Sequence, residues 1–353
     1  MKKLKIGIIG CGGISNVHSA SLMKLCTEFE AEVTAFADVL QDKRAHMSER
    51  FPDARQYNTG MTLISSEQLD IVHICLPTYL HAEHAVAAME KGINVFVEKP
   101  VCLKRSEAGR MLDAEKRSGK KVMVGQVVRF FDEYIFLKDL YVSGKYGKLV
   151  SLALQRLAGG VSLKTIKKRS WFLQPEKSGS AILDLHIHDV DFMRSILGEP
   201  KSVKIVSDMF EGGNQPTHVA AIYGYDSAYA LVEGGWGFAS AYGFRTCYRA
   251  NFEDATIEYD SWNRPTVAIY DMAGHTAYPR IPSANRYDGV PGLEKIPGAG
   301  PYYEEIRYFL ERVIGDKPIE QASLADAVKS YELTMTELEL AYAQAGVRLP
   351  IND

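Results

Sequence analysis

The chain has 353 residues, 46% hydrophobic and 24% charged, with a formal net charge of −3. That is enough length for two domains with cores of their own, and the near-neutral balance excludes an extended basic surface for nucleic acid or an anionic membrane. Five cysteines, Cys11, Cys26, Cys75, Cys102 and Cys247, are odd in number and irregular in spacing, which argues against a disulfide framework or structural zinc and points to free thiols in a reducing, cytoplasmic compartment.

The predicted elements begin with KIGIIG (5–10), a short apolar run, followed by a helix over 13–26. AEVTAFAD (31–38) is a second strand, and 41–50 is helix-compatible. LDIVHICLP (69–77) is a third apolar run, stopped by Pro77, and TYLHAEHAVAAMEKG (78–92) has helical spacing. INVFVEKP (93–100), a helix over 105–118 and KKVMVGQ (120–126) complete the series. Continuous apolar strands alternating with helices predict a parallel sheet buried on both faces, so a doubly wound Rossmann domain is expected over 1–126.

The pattern then changes. A helix over 131–144 and a strand over 147–157 precede SGSAILDLHIHDVDFMRSILGEP (178–200), a strong helix pattern with Gly198 and Pro200 as stops. Five strand-like stretches follow: SVKIVSDMF, HVAAIYGYD, YALVEGGWG, FRTCYRANFED and ATIEYD. They predict an antiparallel sheet in a second, α+β domain over 127–353. Residues 275–301 read as a long Pro- and Gly-rich loop, and helices near 302–314 and 323–345 close the chain. No run reaches the roughly 18–20 apolar residues of a membrane span. IIGC at 8–11 has the look of a lipoprotein cleavage site, but the apolar part before it is too short for the about 7–15 residues of a secretory core.

GCGGIS (10–15) alone fits either a tight turn or a phosphate cradle. Its context favours the cradle: a strand before, a helix after, and Asp38 at the end of the next strand, where an acid can bind the adenosine ribose. Gly10 and Gly12 take the first two glycine positions, and Ser15 is small enough for the third. Asp38 would repel a 2′-phosphate, and no arginine stands at 39–41, so NAD is expected over NADP. The strands that end at Pro77 and Pro100 bring further residues to the same sheet edge. Gly13, Ile14, Leu76, Pro77, Thr78, His81, Glu98 and Lys99 join Gly10, Gly12 and Asp38 as candidate cofactor contacts, with His81 positioning rather than transferring protons. Lys99 can hold a substrate hydroxyl and stabilise a developing alkoxide. An isolated Glu-Lys-Pro is otherwise a surface lysine before a proline.

In LDLHIHDVD (183–191) Asp184 and His188 are four apart and share a helix face, while His186 points elsewhere. A His-x-His pair on a helix does not chelate readily, so no metal site is expected. Asp184 can orient His188 as a general base; standing alone, the segment would also suit a solvated helix face.

Together these segments resemble the glucose–fructose oxidoreductase/inositol dehydrogenase/MocA family over nearly the whole chain. KIGIIGCGGIS matches its dinucleotide loop, PTYLHAEHAVAAMEKGINVFVEKP its middle section, and SGSAILDLHIHDVDFMRSILGEP its G-G-x-x-x-D-x-x-x-H-x-x-D helix. VVRFFDEYIFLKDLYVSGKYGKLVSL and the closing ASLADAVKSYELTMTELELAYAQAGVRLPI are also similar. The resemblance implies a Rossmann domain followed by an open, mainly antiparallel sheet, and hydride transfer between a sugar or cyclitol carbinol and NAD(P). It places the family's catalytic lysine, aspartate and histidine on Lys99, Asp184 and His188. It adds Arg129, Trp171 and Tyr302 as substrate-pocket candidates. Two departures stand out: Ser178-Gly179-Ser180 in place of the glycine pair, and His186 where many members have glycine. The family also implies a dimer or tetramer formed through the open sheet face, which exposed apolar alternation around 217–238 would fit.

The expected function is an NAD-dependent dehydrogenase acting on a polyhydroxylated small molecule. Two alternatives are an enzyme that retains NAD and uses transient oxidation for epimerisation, elimination or glycoside cleavage, and a dinucleotide-binding sensor without turnover.

Overall fold

The computed structural model describes residues 3–159, 171–209, 214–281 and 299–351. Residues 282–298, most of the expected loop, and Phe210, at the end of one expected strand, lie outside the described residues.

Among the described residues the chain forms two compact units, one of residues 3–130 and 299–328, the other of 131–281 and 329–351. The first unit holds strands β1 (Leu4–Ile9), β2 (Ala31–Ala37), β3 (Arg55–Tyr57), β4 (Ile71–Ile74), β5 (Asn94–Glu98) and β6 (Val122–Gly125). They form one sheet in the order β3-β2-β1-β4-β5-β6, parallel throughout. Helices α1 (Gly13–Glu28), α2 (Gln41–Arg50), α3 (Gly60–Ser66), α4 (His81–Glu90) and α5 (Arg105–Ser118) connect them. Ile6, Ile8, Ile71, Val72, Val95, Phe96 and Val97 are fully buried, as strands covered on both faces require. The helix ends follow local chemistry. Thr59 caps α3 by accepting from the Thr62 amide at 3.1 Å, and Glu107 accepts from the Leu103 and Lys104 amides at the start of α5.

The first unit is larger than a division at residue 126 would give. A late helix (Ala299–Ile314, α9 below) packs on α1 and places Tyr303, Ile306, Phe309 and Leu310 in one core with Ile6, Ile8, Leu22, Phe36 and Phe96. This core includes Tyr302 among its partly buried members.

The second unit contains α6 (Asp132–Ser143), β7 (Leu149–Gly159), a short helix α7 (Pro175–Ser178), a π-helical turn (Ile182–His186) and α8 (Ile187–Leu197). Strands β8 (Ser202–Met209), β9 (Pro216–Gly224), β10 (Tyr229–Phe238), β11 (Phe244–Phe252), β12 (Ala255–Asp260), β13 (Val267–Asp271) and β14 (Thr276–Ala277) follow. After them come α9 and α10 (Leu324–Ala345), the latter divided between the units after Val328. The sheet runs β14-β13-β12-β11-β7-β10-β9-β8. It is antiparallel except for β7 beside β10. Residues alternate between faces: Leu152, Leu154, Ala221, Tyr223, Val232 and Ile257 are buried, while Val206, Ile222 and Leu231 are exposed. The π-helical turn packs on β9 and β10, and α8 on β7 and β10.

Candidate active site

The dinucleotide loop is built as its residue types require. β1 gives way to Gly10, whose φ of +90° is open to glycine and whose Cβ would stand 2.4 Å from the Cys75 carbonyl oxygen. Space is open above Gly12 and Gly13, where a Cβ would meet nothing within 4 Å. Helix α1 starts at Gly13, so its first amides face that space. Ser15 is buried and donates to the Gly12 carbonyl at 2.7 Å, and Ile14 packs into the core. Asp38, just past β2, is held by two main-chain donors: Cys11 N to Oδ2 and Leu40 N to Oδ1, both at 2.8 Å. Each carboxylate oxygen keeps a lone pair for a ribose hydroxyl. These features fit a dinucleotide.

Sequence reasoning missed one neighbour. Arg44, on α2, donates to the Asp38 carbonyl at 2.6 Å, so a cation stands beside this acid although none follows it directly.

At the same edge, β4 ends before Leu76 and Pro77, both partly buried, and Thr78, which is buried. His81 opens α4 with its ring between two carbonyls: Nδ1 is 2.8 Å from Pro100 O and Nε2 2.8 Å from Leu76 O. Burial lowers its pKa, so the ring is neutral and donates to one carbonyl at a time. It ties the loop after β4 to the loop after β5, next to Lys99. Lys99 is partly exposed at the end of β5, and its bond to Pro100 is cis.

Glu98 turns inward. Its Oε1 is 2.8 Å from His18 Nε2, and His18 Nδ1 is 3.0 Å from His73 Nδ1, all three residues buried. Burial and the adjacent His18 hold the His73 ring well below its usual pKa. Glu305, on α9, is fully buried; burial first and Glu98 second push its carboxyl well above the usual range. A single polar residue inside an apolar run gives no sign of its partner, so this cluster was not visible in the sequence.

Arg129 is buried and its Nη1 is 2.5 Å from Asp326 Oδ2. Tyr302 lies on α9 in the first unit, and Trp171 opens a short 3₁₀ turn in the second.

In the second unit Asp184 lies within the π-helical turn and is partly exposed, while His188, in α8, is 8% exposed. The remaining polar residues of LDLHIHDVD anchor the helix. Asp189 takes a bidentate pair from Arg156 of β7, at 2.9 and 3.1 Å, with the Tyr134 hydroxyl donating at 3.3 Å. Asp191 accepts from Ser330 at 2.6 Å, and Ser330 accepts from Arg194 at 2.7 Å. His186 is fully buried beside Glu337. Ahead of the turn, Gly179 and Ser180 both have positive φ, +74° and +66°. The serine thus occupies a conformation that glycine adopts at no cost.

Two family models match the chain: an oxidoreductase family with an NAD-binding Rossmann fold over residues 4–126, and the GFO/IDH/MocA C-terminal domain over 134–258. The chain belongs to the GFO/IDH/MocA oxidoreductase family. Within that family it is 28% identical to Oxidoreductase P35 of Formosa agariphila over 57% of this chain and 63% of that protein, so the match spans less than two thirds of that relative. It is 26% identical to a myo-inositol 2-dehydrogenase of Thermotoga maritima over 89% of this chain and 90% of the relative. A levoglucosan dehydrogenase solved with NADH and levoglucosan shares the fold, with a TM-score of 0.82 at 21% identity and 98% of both chains covered. These matches agree with the Rossmann unit and the mainly antiparallel second sheet expected for this GFO/IDH/MocA member. Among the described residues no helix is long and apolar enough to cross a membrane, and no cluster of metal-binding side chains occurs.

Proposed function

We propose that this protein is an NAD-dependent dehydrogenase that oxidises one secondary alcohol of a sugar, glycoside or inositol ring. The observation that carries this is a glycine cradle ending in a doubly held acid, Asp38, together with Asp184 and His188 on a helix that buried ion pairs hold in place. The substrate class is supported by relatives named for inositol oxidation.

When bound, NAD supplies the hydride acceptor. His188 takes the proton of the reacting hydroxyl, and Asp184 orients its ring and steadies the imidazolium. Lys99 Nζ donates to the hydroxyl oxygen and stabilises negative charge as it develops there. In the reverse direction His188 returns the proton. His81 holds the two loops around Lys99 without exchanging protons with substrate.

NAD is favoured over NADP because the Asp38 carboxylate would face a 2′-phosphate. Five free thiols support a cytoplasmic setting. The exposed Val206, Ile222 and Leu231 on the outer face of the second sheet support a dimer or tetramer.

Absorbance at 340 nm, with NAD and a panel of inositols, free sugars and glycosides, identifies the ring. With that ring, Lys99→Ala and His188→Ala should each lower kcat by about 10²–10⁴-fold in folded protein. Full turnover in both variants would overturn the mechanism.

A further inference from the structure

We propose that His186, Glu337 and Tyr223 form a positioning device that holds the π-helical turn carrying Asp184. This rests on the reading of Asp184 and His188 as the proton-handling pair.

The turn itself calls for an anchor. Ile182–His186 is π-helical, and the Ile187 amide closes it by donating to the Ile182 carbonyl, five residues back. Such turns carry one residue more than an α-helix allows and are rare. Relaxing this one to α-helix would swing the residues before it by about 100°, one residue's rotation, relative to α8. Asp184 lies inside the turn and His188 beyond it, so their mutual bearing depends on the turn being held.

Its last residue, His186, is fully buried and points into the sheet. His186 Nε2 is 2.9 Å from Glu337 Oε2 on α10. The Tyr223 hydroxyl, from β9, donates to Glu337 Oε1 and lies 3.4 Å from His186 Nε2. Burial, and then the Glu337 charge, hold the Tyr223 phenol protonated well above its usual range, consistent with its role as donor. All three side chains are buried. The strand below makes room: a Cβ on Gly234 of β10 would stand 2.8 Å from His186 Cβ and Nδ1. An imidazole at 186 and a bare backbone at 234 are therefore complementary. The device joins the turn to one strand and to the closing helix. It acts through Asp184 and His188, which makes its members positioning residues.

The test compares Glu337→Gln, which keeps a polar group facing His186 and Tyr223, with Glu337→Leu, which does not, and adds Tyr223→Phe, which removes one oxygen. Four quantities are read in the whole 353-residue chain: kcat and KM with the ring substrate, the Kd for NAD, and amide hydrogen exchange over residues 182–188. The expected result is a kcat at least ten-fold lower for Glu337→Leu and within about three-fold of wild type for Glu337→Gln, with the NAD Kd unchanged in both. Exchange over 182–188 should rise about ten-fold in Tyr223→Phe, while that of α1 stays the same. If Glu337→Leu does not fold, Tyr223→Phe decides. Unchanged exchange in the turn, or a folded Glu337→Leu variant with wild-type kcat, would overturn the proposal. His188→Ala separates the two readings. If it is inactive while the anchor variants are wild type, only the anchor fails; if it stays active, the proton-handling assignment fails.

Discussion

Two buried acidic side chains, one in each unit, are held by opposite means. In the first, Glu305 sits on α9 with Glu98 as a neighbour, and the combination of burial and like charge keeps its proton on. In the second, Asp189 is fully buried and paired with the two-pronged guanidinium of Arg156. A carboxyl that keeps its proton is sensitive to the medium. A carboxylate matched to a cation is sensitive to its partner. The same kind of residue therefore leaves the two halves open to different perturbations.

Removing the partner should have the largest effect. Arg156→Met leaves Asp189 buried without its cation and should cost about 3–5 kcal/mol in urea unfolding. Replacing both, with Arg156→Met and Asp189→Leu, should recover most of that loss. If the single variant unfolds like wild type, the ion pair does not hold α8.

The medium should act on the other unit. Glu305 keeps its proton to higher pH when folded than when unfolded, so its contribution is whole below the ordinary carboxyl value of 4.5. It is then lost as the pH rises through the folded-state value. Tm measured from pH 5 to pH 8 should therefore fall less steeply in Glu305→Gln than in wild type. Parallel curves would mean that the carboxyl does not titrate with folding.

A smaller effect is expected at Asp38. Asp38→Ala removes a charge-assisted acceptor for the ribose and should weaken NAD by about ten-fold, with a lesser effect on NADP, as read by fluorescence titration. Equal losses for both dinucleotides would show that Asp38 does not discriminate. The smallest change is a gain. Ser180 has a φ of +66°, and Ser180→Gly should stabilise the second unit by about 1 kcal/mol in urea unfolding. No gain would mean that the serine side chain offsets its backbone conformation.

The first half was the more legible in the sequence, for a physical reason. Its strands are continuous apolar runs, and the cradle is made by main chain, so glycines and a turn announce it within a few residues. Asp38 could be placed because its distance from the loop is set by one helix and one strand. The catalytic candidates Asp184 and His188 were found by spacing alone. The π-helical turn was not, because four-residue spacing looks much the same in either helix. Nor were the partners of Asp189, Asp191 and His186 visible, since Arg156, Ser330 and Glu337 lie far along the chain and meet them only in three dimensions. Strands β13 and β14 were passed over because Asn263, Arg264, Pro265 and Gly274 break the pattern around short segments. Tyr302 was expected in the second domain, yet its helix packs with the first, which no local signal reveals.

That last arrangement bears on how the protein is made. Ribosomal synthesis runs from the first residue onward, and domains generally fold as they emerge. The nucleotide-binding half cannot finish in that order. Its core waits for Tyr303, Ile306, Phe309 and Leu310, which are translated only after every strand of the other sheet. Until then the flank of α1 that α9 will cover stays wet and adhesive. A recombinant fragment cut at residue 126 would carry the same bare flank permanently, so the excised domain should be prone to aggregation, whereas the whole chain supplies its own lid.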